Sequence, residues 1–399
     1  MKVGFFPLDD QLDLGTGSLT PCSQDHLVHL AVWMPFEKAV RMLERLTGVH
    51  TSEATARRQT YRAGEATLAV QQAPSSDLAP TSVDAAHPSK MIVSADGAMV
   101  PLVKGTWAEV KTVVVGCVES KRPEELAVST QLSYFSRMVE AQTFTEQASG
   151  EMLRRGVDQA DQVCAVMDGA EWIDGFVDWQ CKDAVRILDF AHAAEYVSEI
   201  GQLAQAAGTV LPHDWLSVQL HELKHEGPAA VLREVRNLRD SHPEGEEISK
   251  KVAYLEKREA RMQYPQYQKA GWPIGSGIVE SGNKVVMQAR LKGAGMHWGP
   301  VHVNPMLALR TTACNDRWDE TAQARQALLA AQCLNQRRTR QSERYEHLVF
   351  RLQIGLLLLQ TRSKPQPSVP KVLSTPSPHA KASRPAATHP WRRPLLAKK

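Results

Sequence analysis

Three short apolar runs, each closed by an aspartate, constrain this chain more than any other feature. Met91-Ile92-Val93-Ser94-Ala95 ends at Asp96, Val163-Cys164-Ala165-Val166-Met167 at Asp168, and Val185-Arg186-Ile187-Leu188 at Asp189. Runs this short with almost no polar alternation read as strands covered on both faces, the condition of a parallel sheet between helices. Val110–Val118 and Leu126–Leu132 add two β-branched-rich runs, so the first three strands form an antiparallel meander. Phe135–Arg155 and Phe190–Ala207 carry helical patterns between and after the later strands. The order β-β-β-α-β-α-β-α predicts an α/β fold, an RNase H-like mixed sheet flanked by helices.

Composition narrows the class without naming a partner. At 399 residues with 43% hydrophobic and 23% charged side chains, the chain has the make-up of a globular protein of two or three modules. The net charge of +3 is small, but the cations cluster at 56–62, 284–292, 337–344 and beyond 361. The six cysteines include no C-x-x-C pair, which argues against a zinc ribbon and for reduced thiols. MKVGFFPLDD has no apolar signal core, and Ile354–Leu359 is far shorter than the roughly twenty residues of a membrane span. These features predict a cytoplasmic, nucleoid-associated protein with no membrane partner.

The expected organisation is an N-terminal helical DNA-binding region at 1–74 and a Pro/Ser/Ala-rich linker at 75–89. A catalytic core follows in two parts, 90–212 and 266–335, around a charged helical insertion at 213–265. A C-terminal helix at 336–360, centred on Glu346–Leu359 after a basic run, and a disordered basic tail at 361–399 complete it. Within the first region, Phe36–Leu46 and Glu53–Thr60 flank Gly48 and the capping pair Thr51-Ser52, a helix-turn-helix pattern. An ordinary helical hairpin would share that pattern. Arg57, Arg58 and Arg62 lie on its second helix.

A third acid enters through Gly271-Trp272-Pro273-Ile274-Gly275-Ser276-Gly277-Ile278-Val279-Glu280. This Gly/Pro turn opens a helix expected over Ile278–Leu291. Two aspartates on neighbouring strand ends and a glutamate on a late helix suit a hard divalent cation, Mg²⁺ or Mn²⁺, in phosphoryl transfer. Each acid alone has a plainer explanation. Asp-Gly pairs favour turns, and a first-turn glutamate favours the helix dipole. Asp189, within Asp189-Phe190-Ala191-His192, competes for the second metal position; with His192 it reads better as supporting structure, or as a group behind the metal ligands or the DNA contacts, than as a direct metal ligand.

The segments M-I-V-S-A-D-G-A-M-V-P-L, V-M-D-G-A-E-W-I, R-I-L-D-F-A-H-A and W-P-I-G-S-G-I-V-E-S-G-N-K-V-V resemble the DDE transposases of bacterial insertion sequences, of the ISKra type. F-F-P-L-D and R-L-K-G-A-G-M-H-W-G resemble further blocks of that family, so the likeness spans about 4–320. It implies Asp96, Asp168 and Glu280 as the catalytic, metal-binding triad. The implied reaction is cleavage of double-stranded DNA at element ends and joining of the 3′ ends to target DNA, by a homo-oligomer on DNA. Relatives usually carry a Cys-rich segment before F-F-P-L-D, so a shortened or differently equipped N-terminus is expected here. An RNase H-like nuclease without strand transfer, or an inactive DNA-binding remnant, would share the same blocks. Candidate DNA contacts beyond Arg57, Arg58 and Arg62 are Lys284, Arg290 and Lys292 for phosphates, and Trp172 and Trp298 for stacking on unpaired bases. Surface charge or core packing is the competing explanation for each.

Overall fold

In the computed structural model the described residues are 19–72, 89–119 and 127–362. The F-F-P-L-D block, the expected linker and the basic tail from 363 onward lie outside them. The described residues up to 336 form one compact unit, and those from 337 to 362 belong to a second.

The five expected strands are present as β1 (Lys90–Pro101), β2 (Trp107–Glu119), β3 (Val128–Arg137), β4 (Gln162–Met167) and β5 (Val185–Leu188). They make one mixed sheet in the order β3-β2-β1-β4-β5. β1, β2 and β3 pair antiparallel, whereas β1, β4 and β5 pair parallel. Both faces are covered, as the unalternating runs require. On one face Met91, Val93, Ala95, Val113 and Val115 meet Phe144, Ala148 and Phe176. On the other Ile92, Cys164, Val166 and Ile187 meet Ala193, Val197, Val231, Val235 and Val252.

That second cluster changes the meaning of the segment at 213–265. Its helices, Trp215–His225, Pro228–Ser241 and Glu246–Lys257, contribute Leu223, Val231, Val235 and Val252 to the core of the sheet itself. The segment is a layer of the unit, with no core of its own in evidence. β3 also outruns its expected end. Phe135 was expected to open a helix, but pairing with β2 continues to Lys111↔Arg137, and the helix begins at Ala141. Cross-strand pairing and burial of Phe135 override local helical preference there.

The N-terminal helices are α1 (Pro21–Trp33), α2 (Phe36–Thr47) and α3 (Glu53–Gln72). Gly48 ends α2 with φ +71°, the left-handed cap that glycine accepts at little cost. α3 does not stand apart from the sheet domain. It packs on the helix Pro300–Cys314, with Ala63 against Leu309 and Ala313, and a Cβ at Gly64 would come within 2.6 Å of the Pro305 carbonyl oxygen; Ala56, nearer its start, packs with Leu27 and Leu43. Finally, Trp318–Arg362 is one helix of 45 residues, with no break at the basic run. Arg, Gln and Glu in that run are good helix formers, and no proline interrupts it.

Candidate active site at the carboxyl ends of the parallel strands

Strand register brings the acids into one row. The β1–β4 ladder runs to Val93↔Ala165, and Asp96 and Asp168 each lie three residues further on. The β4–β5 ladder runs to Met167↔Leu188, and Asp168 and Asp189 each lie one residue further on. Ser94 Oγ donates to the Val166 carbonyl at 2.7 Å and holds β1 to β4 just below this row. In open α/β sheets the carboxyl ends of the parallel strands are where ligands bind.

Asp96 is half-buried. Its Oδ1 accepts the Gly97 N–H at 2.7 Å and its Oδ2 accepts from Asn283 Nδ2 at 2.8 Å. Burial pushes its carboxyl above the usual range, and the charges of Asp168 and Glu109 push the same way; the hydrogen bonds from Gly97 and Asn283 partly offset this.

Asp168 sits in a turn gripped from above. Its Oδ1 accepts the Ala170 N–H at 2.8 Å, leading into the helix Glu171–Gln180. Tyr254 Oη–H donates to the Asp168 carbonyl, and Arg258 Nη2 donates to the Gly169 carbonyl at 2.6 Å. Gly169 has φ +84°, and a Cβ there would lie 2.5 Å from Arg258 Nε and 2.6 Å from Tyr254 Oη. Arg258 lies over the Tyr254 ring at 3.7 Å, and Tyr254 stacks on Tyr196 at 4.0 Å. Burial pushes the Tyr254 phenol up to about 12, so it remains a donor at neutral pH. Tyr254 and Arg258 come from the end of the helical layer that looked, in sequence, remote from the acids. Nothing in the spacing of the chain pointed to them.

Asp189 has a structural task that occupies both its oxygens. Oδ2 accepts the His192 N–H at 3.2 Å and caps the helix Phe190–Ala206, and Oδ1 accepts the Ser276 N–H at 2.9 Å. With the Phe190 N–H bonded to the Ile274 carbonyl, it fastens the W-P-I-G-S-G turn to the end of β5. His192 turns its ring toward Glu195 and Tyr196.

Glu280 stands differently from its expected place. The helix over 278–291 is in three pieces: Gly277–Gly282, a π-helical stretch Asn283–Gln288, and a last turn Ala289–Leu291. Its buried stripe is Val279, Gly282, Asn283, Val286, Met287 and Arg290. Gly282 lets it lie flush on the sheet, since a Cβ there would be 2.7 Å from Val114 Cγ2. The widened turn frees carbonyls, and buried Arg310 donates to those of Val285 and Val286. Glu280 falls on the outer face, 67% exposed, where it pairs with Lys284 at 2.6 Å; Lys284 draws its carboxyl below the usual range. The structure thus gathers Asp96 and Asp168 but not Glu280. Among the described residues no group of three or more His, Cys, Asp or Glu side chains is poised to share a metal ion. The inward place one turn along belongs to Asn283, a residue the sequence reading passed over. An amide in a stripe otherwise filled by Val279, Val286 and Met287 was the available signal.

The expected DNA contacts divide the same way. Arg57, Arg58, Lys284 and Lys292 are exposed and Arg62 is half-buried. Arg290 is buried: Nε donates to the Ala31 carbonyl at 2.8 Å between the rings of Phe36 and Trp298, so it ties α1 to the core and has no surface to offer a phosphate. Trp298 is buried too, with Nε1 donating to the Leu291 carbonyl at 3.1 Å, and cannot receive a base. Trp172 is half-buried edge-on to Phe144, with Lys111 over its ring.

The donors present suit a hard cation. Mg²⁺ is commonly held by only one or two carboxylates, keeping several waters and taking oxygens from its substrate. Asp96 and Asp168 are such a pair, close enough for one charge to perturb the other, and Asn283, which donates to Asp96 through Nδ2, has a buried Oδ1 with no hydrogen-bond partner.

These features define an α/β protein with an acidic site at the carboxyl end of a mixed sheet. Over residues 3–317 the chain matches UPF0236, described as an uncharacterised protein family, and it belongs to that family. No curated protein matches it. No helix among the described residues is long and apolar enough to cross a membrane.

Proposed function

We propose that the protein is a DDE transposase of a bacterial insertion sequence, with an RNase H-like catalytic core that acts on double-stranded DNA with Mg²⁺ or Mn²⁺. The observation that carries this reading is that Asp96 and Asp168 each lie three residues beyond Val93↔Ala165, the last pair of the parallel β1–β4 ladder, in a sheet of order β3-β2-β1-β4-β5. That strand order, with three leading antiparallel strands, supports the RNase H-like reading. Asp96 and Asp168 hold divalent cation through carboxylate oxygens, and Glu280 joins them by leaving Lys284. Bound there, such a cation activates the attacking oxygen and stabilises charge at phosphorus. Tyr254 and Arg258 keep Asp168 aimed, and Asp189 keeps the Glu280 helix docked. Lys284, once released, sits within a turn of Glu280 to contact a phosphate. Arg57 and Arg58 extend the contact to flanking duplex, and the active form is a homo-oligomer on DNA.

The test uses the full chain, Mg²⁺ or Mn²⁺, and DNA carrying the genomic flanks of the gene. Cleavage at the element ends and joined products are expected, and Asp96→Asn, Asp168→Asn and Glu280→Gln each abolish both while DNA binding persists. Cleavage without joined products would make the protein a nuclease. Full activity in Asp168→Asn would refute the site.

A further inference from the structure

Asn283 interrupts the buried stripe of the Glu280 helix and is 2% exposed. Its Nδ2 donates to Asp96 Oδ2 at 2.8 Å, while its Oδ1 is buried without a hydrogen-bond partner. A buried amide with one half unpaired is costly to keep, and packing alone would favour leucine at this position. The amide that carries this oxygen lies against Asp96, the neighbour of Asp168 across the β1–β4 register.

We propose that Asn283 is a cation ligand of this site, supplying an inward oxygen from the late helix even while Glu280 is paired with Lys284 on the outer face. The inference rests on the cation-binding reading of Asp96 and Asp168. The amide serves Asp96 in two orientations. As it stands, Nδ2 donates to the carboxylate and offsets part of its charge. Turned half a rotation about the Cβ–Cγ bond, it presents Oδ1 beside Asp96 and Asp168 as a neutral oxygen donor for a hard divalent cation. An aspartate here would ligate but would repel the two acids when no cation is bound. A leucine would fill the space and do neither. Asn283, at the start of the π-helical stretch, faces the sheet, whereas Glu280 and Lys284 pair on the outer face in this structure.

Mn²⁺ binding to the full chain, followed by the loss of the free-ion electron paramagnetic resonance signal, tests this without reference to activity. Wild type should bind Mn²⁺, and Asp168→Asn should abolish binding. Asn283→Ala should weaken it at least about tenfold, the lower end of what loss of a supporting group costs a metal site. Asn283→Asp should bind at least as tightly as wild type, yet melt below wild type in EDTA and gain more from Mn²⁺. Loss of binding in Asp168→Asn with wild-type affinity in Asn283→Ala would overturn the role of Asn283 and leave the acidic site standing. If Asn283→Ala does not fold, Asn283→Asp decides, and weaker binding there than in wild type overturns the inference. No Mn²⁺ binding by wild type, or undiminished binding by Asp168→Asn, would remove the acidic site and the inference with it.

Discussion

Gly169→Ala is the sharpest probe of how Asp168 is held. Gly169 has φ +84°, which costs an L-residue about 1–2 kcal/mol. The added methyl would also sit 2.5 Å from Arg258 Nε and 2.6 Å from Tyr254 Oη, and overpacking of that kind costs about 1–3 kcal/mol. Reduced freedom of the unfolded chain returns about 0.4–1 kcal/mol. The net expectation is a loss of about 1–5 kcal/mol in urea unfolding followed by tryptophan fluorescence. Gly150→Ala is the internal control. Gly150 lies inside the helix Ala141–Arg154 with open space around its Cβ position, and the substitution should add about 0.5–1 kcal/mol. In a Tyr254→Phe background, which removes one of the two obstructing atoms, Gly169→Ala should cost measurably less than in wild type. Stability of Gly169→Ala within about 0.5 kcal/mol of wild type would refute the claim that Tyr254 and Arg258 clamp this turn.

Three further outcomes follow from the same geometry. Burial holds Asp96 above its ordinary pKa of 3.8, so the folded chain keeps that proton longer than the unfolded one, and the site's contribution to stability falls as pH rises through this window. In EDTA, Asp96→Asn should therefore melt above wild type at pH 7, with the gain vanishing below the ordinary carboxylate value; a gain that grows in acid would contradict the sign. Asp189→Ala removes a helix cap worth about 1 kcal/mol and strands the Ser276 N–H for about 1–3 more, whereas Asp189→Asn, which keeps an acceptor, should lose less in the same unfolding assay. Arg57→Ala with Arg58→Ala should leave the melting temperature unchanged, because both side chains are exposed, and should lower the salt slope of DNA binding by about one to two; an unchanged slope would make α3 purely structural.

Much of the fold was legible because its cause is local. Met91–Ala95 and Val163–Met167 lack alternation since both their faces are covered, and an unalternating run can be read without knowing what covers it. The boundary between β3 and its helix was not legible, because pairing of Arg137 with Lys111 is decided by a neighbouring strand. Arg290 read as a surface cation for a similar reason. Its partner is the backbone carbonyl of Ala31, far away in the chain, and no property of residue 290 announces that a carbonyl will be there. Trp298 was ambiguous in the same way until the Leu291 carbonyl was placed against its indole N–H.

The candidate site divides along the same line. Sequence alone determined that Asp168 and Asp189 follow directly on two buried strands and that Asp96 ends the apolar run of β1, although β1 itself continues past Asp96 to Pro101. The stripe of Val279, Gly282, Val286 and Met287 was in the sequence as well, and with it the outward direction of Glu280 and the inward direction of Asn283. Tertiary structure alone decided which acids become neighbours and what each does there. Strand order places Asp168 between Asp96 and Asp189. Docking of the W-P-I-G-S-G turn occupies Oδ1 of Asp189 with the Ser276 N–H, beside the helix cap that Oδ2 makes, and the closing helical layer brings Tyr254 and Arg258 onto Gly169. Periodicity reports the direction of a side chain along its own element, but the partner it meets is set by contacts distant in sequence, which no local pattern encodes.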